Sequence, residues 1–170
     1  PVEQTLLEAI RRGCDVLFYG PVTGAGRPLM ELLNLSTAAP LAGELEWQSS
    51  LPADGLRDLP GTIRYRDLLS GGGVDTVLRN AALAGCRECA TVARGGERRA
   101  FAVFRDRPFG PQSGRVGWIR GCVSCSLDGG HLPVPDDPRK FYRAEALLRR
   151  MLALYGYRIL IDKRAAEAQI

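Results

Sequence analysis

The sequence predicts an α+β fold: a small mixed domain with an inserted four-cysteine, zinc-ribbon-like lobe. Three observations support this. Apolar residues recur at helical spacing near both ends, over 2–12 and 138–155. Short apolar or alternating runs, separated by Gly- and Pro-rich turns, read as strands. Two Cys-x2-Cys pairs, Cys86-Arg-Glu-Cys89 and Cys122-Val-Ser-Cys125, bracket an arginine-rich segment.

Taken in order, residues 2–12 read as an amphipathic helix with Val2, Leu6, Ala9 and Ile10 on one face, and Gly13 as its stop. Cys14–Tyr19 is an apolar run expected as a buried strand. Gly20–Gly26 is a turn. It leads into a helix over Arg27–Leu35, with Pro28 tolerated in the first turn. Residues 36–61 are irregular apart from a strand at Glu44–Gln48, and Thr62–Arg66 is another strand. Asp75–Ala84 is expected as a helix running into a turn at the first cysteine pair. Arg99–Arg105 alternates as a strand, and Arg115–Arg120 is its partner across the Gly110–Gly114 loop. Residues 129–137 form a Pro-rich, acidic linker. Asp137 N-caps a helix with Pro138 at its first position, and the helix runs to Tyr155. Its apolar face is Phe141, Ala144, Leu147, Leu148, Met151, Leu152 and Tyr155. Gly156 stops it, and Tyr157–Ile161 reads as a last strand. The chain thus divides into an N-terminal α/β part (1–85), a metal lobe (86–125), and a linker with C-terminal helix and strand (126–170) that pack on the N-terminal part.

At 170 residues, 45% hydrophobic and 25% charged, the chain has the composition of a soluble globular domain. No apolar run approaches the roughly 20 residues that span a bilayer. The first residues carry Glu3 and Glu8 where a signal peptide would carry base. Five cysteines, an odd number with metal-type spacing, point to a reducing cytoplasm rather than a secreted disulfide framework. No membrane partner is expected.

The cysteine pairs carry the most chemistry. Two Cys-x2-Cys turns can close a tetrahedral thiolate cage around Zn²⁺, with Cys86, Cys89, Cys122 and Cys125 as ligands. Iron or an iron–sulfur cluster is the alternative metal, and free or disulfide-linked thiols are the third reading. Four thiolates leave no open coordination position, so the expected role is a folding staple without catalysis. Cys14 opens an apolar run and reads as a small buried hydrophobe.

The basic residues are lopsided: 21 Arg against Lys140 and Lys163 alone. A GC-rich coding sequence produces such a bias. So does selection for guanidinium forks, which grip phosphates bidentately. Between Cys86 and Cys125 lie eight arginines and three acids (Glu88, Glu97, Asp106), a balance of +5 in a chain of net +4. A localised basic patch is the footprint of a polyanion partner. The residues expected to contact nucleic acid, RNA or DNA, are Arg94, Arg98, Arg99, Arg105, Arg107, Arg115 and Arg120. Phe101, Phe104, Phe109 and Trp118 are interleaved with them. Two of these rings are expected in the small core of the ribbon, and two are left for stacking on bases.

Other motifs are weaker. Gly20-Pro-Val-Thr-Gly-Ala-Gly26-Arg27-Pro28 has the flavour of a phosphate loop. However, five residues separate its outer glycines, Arg27 replaces the lysine, and Pro28 replaces the Mg²⁺-binding hydroxyl, so no NTPase is expected. His131, the one histidine, sits in a Gly/Pro loop and reads as solvated, with a substitute ligand role as the alternative. Asp136-Asp137 reads as a cap and a solvated acid.

Read in order, Cys-x2-Cys, Gly95, Phe101, Phe104-Arg-Asp106 and Cys-x2-Cys resemble the zinc-finger-bearing large-subunit proteins of type IV CRISPR complexes. The resemblance covers 40 of the 170 residues. It implies a non-enzymatic subunit of an RNA-guided complex that contacts guide RNA or target DNA beside a zinc lobe. The expected function is therefore a zinc-binding, non-enzymatic nucleic-acid-binding subunit of a larger assembly with other protein subunits. The alternative is a structural protein whose zinc or iron–sulfur site staples a protein–protein interface. A third class is an enzyme whose Gly20–Gly26 loop holds a phosphorylated ligand.

Overall fold

The computed structural model describes residues 2–20, 22, 24–41, 43–52, 62–67, 75–120, 125–127, 133–135 and 147–157. The elements are α1 (Val2–Arg11), β1 (Val16–Tyr19), α2 (Arg27–Leu32), β2 (Leu35–Ala38), β3 (Gly43–Ser49), β4 (Thr62–Asp67), β5 (Asp75–Leu78), β6 (Cys86–Arg94), β7 (Glu97–Arg105), β8 (Val116–Ile119), β9 (Cys125–Leu127) and β10 (Pro133–Pro135). A third helix, α3, has described residues 147–154. The class is mixed α+β, mostly sheet.

One six-stranded sheet, in the order β1-β8-β7-β6-β3-β4, organises the chain. Only the β1–β8 pairing is parallel within it. On one face, Leu7 and Ile10 of α1, Leu32 of α2, the following Leu33, and Leu35 of β2 pack on Ala100, Val103, Val116 and Trp118. On the other, Leu147 and Met151 of α3 and Tyr155 just after it pack with Cys89, Ala90, Val92, Phe104 and Ile119. The ribbon β2–β5 and the hairpin β9–β10 are separate antiparallel pairs.

The segment expected as a separate metal lobe supplies β6, β7 and β8, which lie between β1 and β3 of the N-terminal part. The physical reason is apolar residues on both faces of these strands. Cys89, Ala90 and Val92 face one layer; Ala100 and Val103 face the other. A strand apolar on both faces needs cover on both sides, which a small ribbon cannot supply. The β6–β7 register skips Cys89 and then Phe101, so each strand carries one extra residue. These paired bulges place Cys89 beside Ala90, and Phe101 beside Ala102, in the α3-side core.

Several expected elements are present: α1, β1, β3, β4 and the β7–β8 pairing. The buried face of α1 is Leu7 and Ile10 rather than one including Val2, which is 75% exposed. The helix expected to reach Leu35 ends at Leu32. Asn34 takes the left-handed position after it (φ 57°), and β2 follows. Asp75–Ala84 is not helical: Asp75–Leu78 is strand β5, because it pairs with β2 from Asp75↔Ala38 to Leu78↔Leu35. Part of the expected acidic linker is β10, which pairs with β9. Gly156 stops α3 at φ 81°. The expected start of that helix at Asp137, residues 158–161 of the last strand, His131 and Asp136 lie outside the described residues.

Two long-range clamps hold the short α2, which at six residues is too short to persist alone. The Glu3 carboxylate accepts from the Gly26 and Leu29 amides (3.1 and 2.8 Å) at its N-terminus. Arg105 Nη1 donates to Leu32 O (2.7 Å) at its C-terminus. Each charge opposes the helix dipole at its own end. A further junction joins α1 to β8: the Gly114 amide donates to Ile10 O (2.8 Å), and the Arg115 amide to Asp15 Oδ1 (2.6 Å).

Candidate functional site

The first cysteine pair lies in strand β6, not in a turn. In an extended chain, residues three apart point to opposite sides. Cys86 accordingly packs with the α1/α2-side core, where its Sγ accepts from Asn34 Nδ2 (3.3 Å). Cys89 is fully buried in the α3-side core. That burial pushes its thiol pKa up to about 12, with the Arg87 charge opposing the shift. The sheet therefore stands between two thiols that a zinc knuckle would bring to one ion. Cys122 lies outside the described residues, and Cys125 opens β9 with its backbone opposite Pro135. Among the described residues, no three His, Cys, Asp or Glu side chains are grouped to hold a metal. Cys14, expected to be buried, is exposed in the α1–β1 connection.

This geometry has a direct test. A thiol-specific reagent is expected to label Cys14 rapidly in the native protein and to leave Cys89 protected until denaturant is added. A chelator should not change that. Labelling of Cys89 on chelation alone would show that a four-thiolate site forms in place of this arrangement.

The arginines expected to contact phosphate separate into two groups. Four are buried or half-buried and engaged by the protein itself. Arg120 forms a two-point pair with Asp75 (Nε–Oδ1 2.8 Å, Nη2–Oδ2 2.7 Å), with side chains only 13% and 3% exposed. Arg99 is buried and donates to Ala39 O, Arg98 O and Glu97. Arg105 caps α2, and Arg115 pairs with Asp15 (3.1 Å). Arg94, Arg98 and Arg107 are exposed. Arg98 is bonded to Glu88, whose carboxyl burial raises in pKa against the pull of that guanidinium. The +5 of the 86–125 segment is thus partly neutralised by acids from outside it, Asp15 and Asp75.

Three of the four aromatic rings of the segment are core: Phe101, Phe104 and Trp118. Phe101 stands edge-on to Trp47, and Phe104 edge-on to Tyr155. Phe109 alone is exposed, at 42%. The guanidinium of Arg11 lies 4.6 Å from its ring centroid. Its loop is tightly bonded. The Phe109 amide donates to Ser113 Oγ (3.2 Å), Ser113 Oγ donates to Gly110 O (2.9 Å), and Arg107 Nη1 donates to Pro111 O (2.8 Å). Arg11 and Arg12, at and just after the end of α1, are not among the residues that the sequence pattern singles out. The signal was Pro108-Phe109-Gly110, where Pro and Gly keep an aromatic ring out of a strand.

At the Gly20–Gly26 turn, the helix start that resembles a phosphate loop already holds the Glu3 carboxylate. A Cβ at Gly26 would come within 2.6 Å of it. A phosphate there would have to displace an internal anion. Among the described residues, no helix is long and apolar enough to cross a membrane. Compared with protein-family models, with curated proteins and with solved structures, the chain matches none.

Proposed function

We propose that this protein is a non-enzymatic nucleic-acid-binding subunit that works through surface arginines. One observation carries the reading. Among the described residues the exposed arginines are Arg11, Arg12, Arg27, Arg79, Arg87, Arg94, Arg98 and Arg107, while the exposed acids are Glu8, Glu31, Glu97 and Asp106. Guanidinium groups in excess at a surface favour phosphate backbones. The resemblance to type IV CRISPR large subunits points the same way, to a subunit working beside other proteins. The reading needs no metal. A zinc or iron–sulfur centre at Cys86, Cys89, Cys122 and Cys125 is a separate proposal, decided by the chelation experiment above.

A second reading, an assembly protein without nucleic acid, is favoured by the internal engagement of Arg99, Arg105, Arg115 and Arg120. Titration of a labelled oligonucleotide at rising salt separates the two. Nucleic-acid binding predicts measurable affinity at low salt, falling steeply with salt by about one unit of slope per phosphate contact. Arg98→Gln, at an exposed position, should flatten that slope by about one unit. No binding at low salt, or binding indifferent to salt, would leave the assembly reading in its place.

A further inference from the structure

We infer that the ligand is single-stranded nucleic acid and that an unpaired base stacks on the exposed ring of Phe109. The inference deepens the nucleic-acid reading and rests on it. Of the described phenylalanines, Phe18, Phe101 and Phe104 pack in or against a core, while Phe109 belongs to neither. Phe109 is 42% exposed, and the Arg11 guanidinium lies 4.6 Å from its ring centroid. An exposed ring beside a guanidinium offers a flat π-system such as a nucleobase an aromatic surface and a cation together.

The platform is also preorganised. Ser113, 6% exposed, ties the Phe109 amide to the Gly110 carbonyl, so the ring is presented from a fixed loop. That loop is joined to α1 by the Gly114–Ile10 hydrogen bond. Arg11 and Phe109 therefore keep their relation without a ligand, and little ordering cost falls on binding. Arg12 and Arg107 carry exposed positive charge on the same two segments, facing only Glu8 and Asp106 as exposed acids there. Arg12 is 3.8 Å from Glu8 with its side chain 80% exposed, a contact weak enough to yield to phosphate. This balance is only mildly positive, so stacking outweighs phosphate contact here. A base held in a duplex is already stacked and cannot reach the ring. Single strands are thus preferred over duplex, and every base is acceptable.

The test titrates the full chain with labelled oligo-dT, oligo-U and a duplex of equal length. Phe109→Ala should weaken single-strand binding roughly tenfold or more with the salt slope unchanged, since stacking releases no counterions. Arg107→Gln should instead lower the slope by about one unit. The indole introduced by Phe109→Trp should retain binding, and its fluorescence should be quenched by the strand, a direct readout of stacking against the buried Trp47 and Trp118. Wild-type binding that survives Phe109→Ala, or a missing quench, overturns the inference and leaves the nucleic-acid reading standing. A preference for duplex overturns it as well. Binding of polyglutamate but not of oligonucleotide, with the same Phe109 dependence, assigns the surface to an acidic peptide and overturns both. Absence of any oligonucleotide binding by wild type also overturns both.

Discussion

Replacing Asp75 with alanine is expected to lower folding stability by about 3–5 kcal/mol, the cost of breaking a buried ion pair by removing one member. Asp75 is 3% exposed and has three engagements in the structure. It accepts hydrogen bonds from Nε and Nη2 of Arg120 and from the Leu41 amide (3.0 Å). Removing the carboxylate takes the two-point Asp75 partner from the Arg120 guanidinium, 13% exposed, and opens the Leu41 amide at the same time. The pair also ties the β2–β5 ribbon to the end of β8, so its loss separates two parts of the core. Urea denaturation should show a lower midpoint with little change in slope. The double variant Asp75→Leu with Arg120→Met should recover part of the loss, because both members of the buried ion pair are then replaced by apolar groups. A loss below about 1 kcal/mol for Asp75→Ala, the range of a solvated surface pair, would show that this pair is not buried.

Gly114→Ala is the second large effect, and it acts through the backbone. A Cβ at this position would lie 1.8 Å from Cys14 O, 2.3 Å from its carbonyl carbon and 2.9 Å from the Asp15 amide nitrogen. None of these atoms belongs to a side chain that can swing away. The α1–β1 connection must therefore move off the start of β8. That breaks the Gly114–Ile10 and Arg115–Asp15 hydrogen bonds together. Ordinary overpacking costs about 1–3 kcal/mol, and a backbone clash at two junction bonds should reach about 3 kcal/mol or more. Gly24→Ala is the matched control. Nothing lies within 4 Å of a Cβ there, so its effect should stay within about 0.5 kcal/mol. Thermal unfolding of the two variants side by side decides the point, and equal stabilities would show that the junction is loose.

Local pattern carried a good part of the fold. Helical spacing placed α1, and alternation placed β7 and β8 with the Gly110–Gly114 loop between them. Gly156 marked the end of α3 because a left-handed residue there is cheapest as glycine. β3 and β4 match the short strands expected at Glu44–Gln48 and Thr62–Arg66. The errors share a cause. A window such as Asp75–Ala84 contains too few residues to separate helix from strand by period, and β5 is a strand only because β2, some forty residues earlier, pairs with it.

The candidate site divides along the same line. Residue chemistry was determined by the sequence alone: thiols at Cys86 and Cys89, guanidinium groups across the 86–125 segment, and an aromatic ring among them. Direction and partner were decided only in three dimensions. A Cys-x2-Cys spacing suits a turn or a strand equally, and the pairing of Cys86 with Arg105 and Glu88 with Val103 selects the strand, sending the two thiols to opposite cores. Arg115 and Arg120 carry the same charge as Arg107, yet Asp15 and Asp75, far away in sequence, take the first two inward and leave Arg107 outside. Composition records which charges and thiols a chain owns. Which of them face solvent follows from strand parity, bulges and long-range partners, and those exist only once the sheet has formed.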